Sequence, residues 1–135
     1  MSTLSESERR TKAHELMQDA INHMRKREYR EAIVGLQQME ELRKDSDILR
    51  YMAECHAQLG EWVETEQILT PLISKGNQDA HIFYLMGNAI YEQKRQEDAR
   101  PYLERFLDLA KGEKYYKAEV RQVQKMLGKK RFGLF

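Results

Sequence analysis

The stretches SDILRYMAECHAQLGEWVETEQIL (residues 46–69) and AHIFYLMGNAIYEQKRQEDARPYL (residues 80–103) carry one pattern, displaced by 34 residues. Met52 recurs as Met86, and Leu69 recurs as Leu103. A less regular third copy surrounds REYREAIVGL (residues 27–36). A period near 34 is typical of stacked helix–turn–helix units, because one such unit cannot bury its apolar face alone. The repeat therefore predicts an all-α solenoid whose function is carried by surfaces rather than by a catalytic pocket.

The composition predicts one helical domain in a reducing compartment. The chain has 135 residues, of which 41% are hydrophobic and 33% charged, a balance that supports a core. Two prolines and seven glycines are too few for a many-turned β architecture. The single cysteine excludes an internal disulfide framework. The sequence shows no signal peptide and no apolar run of membrane-spanning length, so we expect a cytoplasmic protein.

Charge is unevenly distributed along the chain. The net charge is +1, but residues 111–131 hold eight Lys or Arg against two Glu, which gives +6 and leaves −5 for the remainder. This asymmetry indicates an acidic protein, a nucleic acid or an anionic lipid as a partner of the C-terminal end. The alternative is a basic helix that is merely solvated.

Helical periodicity predicts three helix pairs and one further helix. The predicted domain spans residues 13–128, with Ser46 or Asp47 as an N-cap and Gly60 ending a helix. A flexible lead-in is expected at 1–12, and a basic and apolar tail at 129–135. The predicted repeats are 13–45, 46–79 and 80–113, followed by a capping helix at 114–127.

The third repeat gives this pattern a family resemblance. MGNAIYEQKRQEDA (residues 86–99), preceded by the aromatic Phe83, resembles the tetratricopeptide repeat (TPR), a 34-residue helical hairpin. In that family, Gly87 and Ala99 would stand where the two helices of a hairpin touch. The resemblance implies a right-handed superhelical solenoid of three TPR hairpins with a C-terminal capping helix. It also implies a docking scaffold rather than an enzyme.

The resemblance further implies that the first helix of each hairpin lines a concave groove. We expect eleven groove residues there: Met17, Ile21, Met24, Arg50, Tyr51, Glu54, His81, Tyr84, Leu85, Asn88 and Tyr91. For Met17, Ile21 and Met24 the alternative is a role in the core.

The groove chemistry favours a partner with apolar anchors. One TPR subfamily holds acidic chaperone tails with a clamp of lysine, asparagine and arginine, and this chain has none of these at the corresponding positions (Met17, Ile21, Tyr51, His81 and Leu85). Methionine adapts its shape and tyrosine offers apolar area with a polar tip, which suits an extended or helical peptide. The surface is similar to that of TPR chaperones of bacterial type III secretion.

The tail KKRFGLF follows the predicted helix stop at Gly128 with three apolar residues, Phe132, Leu134 and Phe135. Three outcomes are open: disorder, docking on the same chain, or docking on a second copy to form a homo-oligomer. We hypothesise docking.

Catalytic and metal-binding motifs are missing from the sequence. The four histidines are dispersed, and Cys55 beside His56 offers at most two ligands, so we expect no metal, no cofactor and no enzymatic activity. The sequence therefore predicts a non-catalytic adaptor or chaperone that holds a partner segment. The alternative is a binder of nucleic acid or of an acidic protein through 111–131, with Tyr115 and Tyr116 available for stacking.

Overall fold

The structure, a computed structural model, describes residues 4–42 and 45–128. These residues contain no strand, and the predicted all-α class is confirmed. None of their helices is long and apolar enough to cross a membrane. The tail residues Phe132, Leu134 and Phe135 lie outside the described residues. The helices are α1 (Glu6–Arg25), α2 (Tyr29–Leu42), α3 (Ser46–Gln58), α4 (Trp62–Ser74), α5 (Ala80–Glu92), α6 (Gln96–Ala110) and, after a 3₁₀ turn at Lys114–Tyr116, α7 (Lys117–Met126).

Packing divides the chain into two compact units, residues 1–68 (unit 1) and residues 69–135 (unit 2). In unit 1, α1 and α3 both pack against α2. The core of unit 1 contains Leu16, Leu36, Met39, Ile48 and Met52. In unit 2, α5 packs extensively against α6, and α7 contacts α6.

The first helix begins earlier than the sequence analysis predicted. Residues 6–12 were expected to be a flexible lead-in, but they form the first turns of α1. The Ser5 hydroxyl accepts a hydrogen bond from the Glu8 backbone N–H at 3.1 Å, and the Glu8 carboxylate accepts one from the Ser5 N–H at 3.1 Å. This reciprocal capping box satisfies two backbone donors that would otherwise lack helical partners.

The N-cap of α3 also differs from the expectation of Ser46 or Asp47. Asp45 caps the helix, because its side chain accepts a hydrogen bond from the Asp47 N–H at 2.8 Å. Asp79 caps α5 in the same way through the His81 N–H at 2.9 Å. Ser46 and Asp47 are therefore already in the first turn.

Three equivalent turns join α1 to α2, α3 to α4 and α5 to α6. Each contains one residue with positive φ: Arg27 at 62°, Gly60 at 73° and Lys94 at 64°. The next residue then donates its N–H to the carbonyl five positions earlier, as from Glu61 to His56 at 2.8 Å. Only glycine adopts this conformation without a steric penalty, so Arg27 and Lys94 are held there by the surrounding turn.

In unit 1 these turns carry a His–Glu pair. His23 Nδ1 lies 2.8 Å from Glu28 Oε1, and His56 Nδ1 lies 2.7 Å from Glu61 Oε1. Because a carboxylate only accepts, the imidazole Nδ1–H is the donor in each pair. The Glu61 carboxylate also accepts hydrogen bonds from Arg30, from Nη1 to Oε1 at 3.1 Å and from Nη2 to Oε2 at 2.7 Å. Hydrogen bonds from Arg30 and from His56 hold the pKa of Glu61 below its ordinary value.

The α5–α6 contact requires glycine at position 87. A Cβ placed on Gly87 would lie 2.7 Å from Leu103 Cγ and 3.3 Å from the Leu103 backbone nitrogen. Both distances are shorter than ordinary van der Waals separation, and the Leu103 side chain is fully buried. Gly87 therefore sets how closely the two helices of this hairpin approach.

We predict that Gly87→Ala lowers the free energy of unfolding by about 1–3 kcal/mol through overpacking against Leu103. The matched control is Gly35→Ala in α2, whose Cβ would meet atoms only at 3.8 Å or beyond. That control should be neutral or stabilise by up to ~1 kcal/mol, because alanine favours helix. Urea denaturation measures both, and equal effects of the two substitutions would contradict the packing argument.

We predict a pH-dependent stability contribution from Glu61. A lowered folded-state pKa stabilises the protein fully above the unfolded-state pKa, near 4.5, and this stabilisation is lost as pH falls through the folded-state value. Wild-type stability should therefore fall more steeply on acidification than that of Glu61→Gln, followed by urea denaturation between pH 7 and pH 3. Glu15→Gln removes an exposed carboxylate of α1 instead, and a slope as shallow as that of Glu61→Gln in this variant would contradict the assignment to Glu61.

Candidate partner-binding surface

The predicted groove residues of unit 1 lie on α1 and α3 and remain partly accessible. We call Met17, Ile21, Met24, Arg50, Tyr51 and Glu54 the α1–α3 surface; all six are half-buried. Met17, Met24 and Tyr51 pack against the buried core of unit 1 while keeping part of their area accessible. For Met17 and Met24, the alternative of a core role therefore holds in part, because each packs on the core and stays partly accessible.

Arg50 gives the α1–α3 surface a fixed charge beside an aromatic ring. Its guanidinium carbon lies 4.9 Å from the centre of the Tyr51 ring, and Nη2 lies 3.6 Å from Asp47 Oδ1. A guanidinium over a tyrosine face is favourable by ~0.5–1 kcal/mol at exposed sites. The surface therefore combines flexible apolar side chains with one oriented cation.

In unit 2, two of the predicted groove residues are not open to solvent. Leu85 is 3% exposed and Asn88 is 8% exposed, whereas His81, Tyr84 and Tyr91 are half-buried. The prediction that Leu85 and Asn88 are available to a partner is therefore wrong, because both side chains are buried. Periodicity identified the side of α5 on which they lie but not how completely that side is covered.

Tyr84 and Asn88 belong to a hydrogen-bond network that joins α5 to α7. The Tyr84 hydroxyl donates to Gln122 Oε1, and Gln122 Nε2 donates to Asn88 Oδ1 at 3.2 Å. Asn88 Nδ2 donates to the Tyr84 carbonyl at 2.7 Å, which closes the ring. Gln122 was missed in the sequence analysis, although it lies 34 residues after Asn88, one repeat period later.

Aromatic packing further restrains Tyr84. Its ring centre lies 5.2 Å from that of the fully buried Phe106 and 6.0 Å from that of His81. Phe106 also meets Tyr116 edge-on at 5.5 Å, and Tyr116 meets Tyr115 edge-on at 4.9 Å. The series ends at the surface, where Tyr115 is 82% exposed.

A row of cations follows the exposed side of α7. Lys117, Arg121 and Lys125, which we call the α7 basic stripe, are all exposed. They stand four residues apart, so neighbours share a helix face, and each like-charge pair at this spacing is unfavourable by ~0.2–0.5 kcal/mol. Lys111 and Lys114 add two exposed charges before the helix begins. The five cations of the predicted basic segment that lie within the described residues are therefore accessible.

The packed side of α7 contains an unsatisfied polar atom. Gln124 is 3% exposed, and its Oε1 has no hydrogen-bond partner in the part of the chain that the structure describes.

Among the described residues, one cluster of side chains consists of residue types that can coordinate a metal ion. Ligand atoms of His23, Glu28 and Glu31 lie within 4.8 Å of one another. The same His–Glu hydrogen bond recurs between His56 and Glu61, where Arg30 occupies the carboxylate. Because the pair repeats at equivalent turns, we interpret it as a turn-stabilising contact.

Comparisons with solved structures identify the fold. No protein-family model and no curated protein sequence matches this chain. The Yersinia enterocolitica type III secretion translocator chaperone SycD is similar, with a TM-score of 0.75, 15% identity and coverage of 86% of this chain and 89% of SycD.

Two further similar structures were solved with ligands. PcrH in complex with the chaperone-binding region of PopB gives a TM-score of 0.74, 14% identity and coverage of 93% and 99%. The first TPR of Spaghetti (RPAP3), bound to the HSP90 peptide SRMEEVD, gives a TM-score of 0.72 at 18% identity, and the match covers 87% of this chain and 94% of that structure. The chain therefore has the tetratricopeptide-repeat fold, as the sequence resemblance predicted.

We predict that Tyr84→Ala destabilises the protein by about 2 kcal/mol, because the substitution removes a half-buried ring that packs against Phe106. Tyr84→Phe keeps that contact and removes only the hydroxyl, so it should cost about 1 kcal/mol or less. Thermal and urea denaturation of both variants test this. Unchanged stability of Tyr84→Ala would show that the ring is available to a partner instead.

Proposed function

We propose that this chain is a non-catalytic protein-interaction module, an adaptor or chaperone, that holds a segment of a partner polypeptide on the α1–α3 surface. The observation that carries the proposal is the set of half-buried Met and Ile side chains on α1, the first helix of a TPR fold, together with the half-buried Tyr51 on α3. Such side chains are ordered by the core beneath them yet keep apolar area for a ligand.

The chemistry of the α1–α3 surface supports a segment with apolar anchors. Each anchor that becomes buried contributes about 1.5–3 kcal/mol before the cost of ordering. Two or three anchors, together with backbone and polar contacts, are compatible with roughly micromolar affinity, about −8 kcal/mol. PcrH and RPAP3, which share the fold, were solved with bound polypeptide segments, and this supports the same class of ligand here.

The state of the only cysteine supports a non-catalytic role. Cys55 is fully buried, and burial raises the pKa of its thiol to about 12. The thiol is therefore neutral at physiological pH and shielded from substrates, whereas nucleophilic cysteines are exposed thiolates. Tail docking by Phe132, Leu134 and Phe135, homo-oligomerisation and a cytoplasmic location stay predictions from the sequence.

The test is a comparison of two aspartate substitutions. Ile21→Asp places a charge in the α1–α3 surface, and we expect partner affinity to fall at least tenfold, about 1.4 kcal/mol. Val34→Asp on α2, at a valine that is 52% exposed and outside that surface, should bind as wild type. Partners are identified by affinity capture, and their purified segments are then titrated calorimetrically against each variant.

Folding and binding are separated by circular dichroism. Ile21→Gln, a polar substitution of similar reach, provides a second variant if Ile21→Asp melts at a much lower temperature. Wild-type affinity in a folded Ile21 variant, or equal loss in Val34→Asp, would rule out the α1–α3 surface as the binding site.

A further inference from the structure

The α7 basic stripe occupies one sector of its helix. At 3.6 residues per turn, Lys117, Arg121 and Lys125 fall within about 80° of one another, and the first and last are about 12 Å apart along the axis. The buried Val123 lies on the opposite side. All three side chains of the stripe are exposed, although the buried Gln124 lies beside Lys117 around the helix.

The charges of the stripe are not balanced within the described structure. Over residues 4–42 and 45–128, no ion pair joins Lys117, Arg121 or Lys125 to a carboxylate. Glu119, the nearest acid along α7, lies more than 100° away from the stripe around the helix. Three like charges on one face with no ion-pair partner among the described residues form a surface that favours an anion.

We propose that the α7 basic stripe binds an acidic segment of the partner polypeptide, with carboxylates at alternate positions. This inference rests on the proposed function, because it names the chemistry of a second part of the same class of ligand. In an extended peptide, alternate side chains point the same way and repeat at about 6.6–6.8 Å. Cations four residues apart on a helix repeat at about 6 Å, so three successive carboxylates match the stripe.

Charge distribution favours a short acidic peptide over a nucleic acid. The +6 of residues 111–131 is confined to one short segment, and the remaining residues of unit 2, 69–110, hold five Lys or Arg against six Asp or Glu, so the cationic surface matches a short anion better than a long polyanion. Single-stranded nucleic acid is bound on aromatic platforms for successive bases, whereas Tyr115 is the one strongly exposed aromatic side chain among the described residues.

A membrane surface is disfavoured by the packing of α7. Its apolar side contains the fully buried Val123 and packs within unit 2, so it is not available for insertion between lipids. The exposed side of the helix offers cations without large aliphatic side chains. A polypeptide segment is the occupant that the observations favour.

The test uses a fluorescein-labelled, terminally blocked heptapeptide, Glu-Ser-Glu-Ser-Glu-Ser-Glu, in a fluorescence anisotropy titration of the full chain. We expect saturable binding at about 50 mM salt that weakens strongly at about 200 mM. Arg121→Glu should weaken it at least tenfold. Lys75→Glu, the same charge change at another exposed residue of unit 2, should stay within about twofold of wild type.

The charge reversal also separates binding from folding. Arg121→Glu turns two like-charge pairs, with Lys117 and with Lys125, into opposite-charge pairs at four-residue spacing, so its melting temperature should be unchanged or higher. If this variant binds the peptide more weakly, the cause is therefore the changed charge of the stripe and not unfolding of α7.

Three outcomes would overturn the inference: no saturable peptide binding, equal losses in Arg121→Glu and Lys75→Glu, or tighter binding of pentathymidylate, which carries the same charge. The proposed function is tested separately, because Ile21→Asp should leave heptapeptide binding unchanged. If Ile21→Asp captured partners as wild type does and also bound the heptapeptide, the α1–α3 surface would be refuted as the binding site. The inference about the α7 basic stripe would stand.

Discussion

The fold depends on the close approach of α1 to α2 and of α5 to α6, which small side chains permit. On the first helices the equivalent positions are Ala20, Ala53 and Gly87, and all three are buried. On the second helices, α2, α4 and α6, the equivalent positions are Ala32, Thr65 and Ala99, and all three are fully buried. The Thr65 hydroxyl donates to the Glu61 carbonyl at 2.8 Å, so the one polar member is satisfied within its own helix.

Repeat-level features could be predicted from the sequence because they depend on spacing alone. The helix pairs, the turn at Gly60 and the small residue at Gly87 follow from a 34-residue period. The start of α1 could also have been found, since Ser5 and Glu8 have capping-box spacing. Apolar periodicity does not reveal this start, because the first turn of α1 carries few apolar residues.

The candidate site was less predictable, because it depends on contacts between helices. The sequence places Tyr84 on a face of α5, but its engagement with Gln122 and Phe106 depends on how α7 and α6 pack there. For the same reason, the near-complete burial of Leu85 could not be read from α5 alone. Helical spacing specifies which residues share a face, whereas neighbouring elements determine which of them a ligand can reach.

The two surfaces would affect binding through different physical terms. Apolar anchors on the α1–α3 surface contribute affinity that salt changes little, and they act mainly on the dissociation rate. The α7 basic stripe is solvent-exposed, so its attraction is screened beyond about 10 Å at 0.1 M salt and acts mainly on the association rate and on partner choice. A partner that carried both apolar anchors and alternate carboxylates would be favoured over one that carried either alone, which would give discrimination between partners.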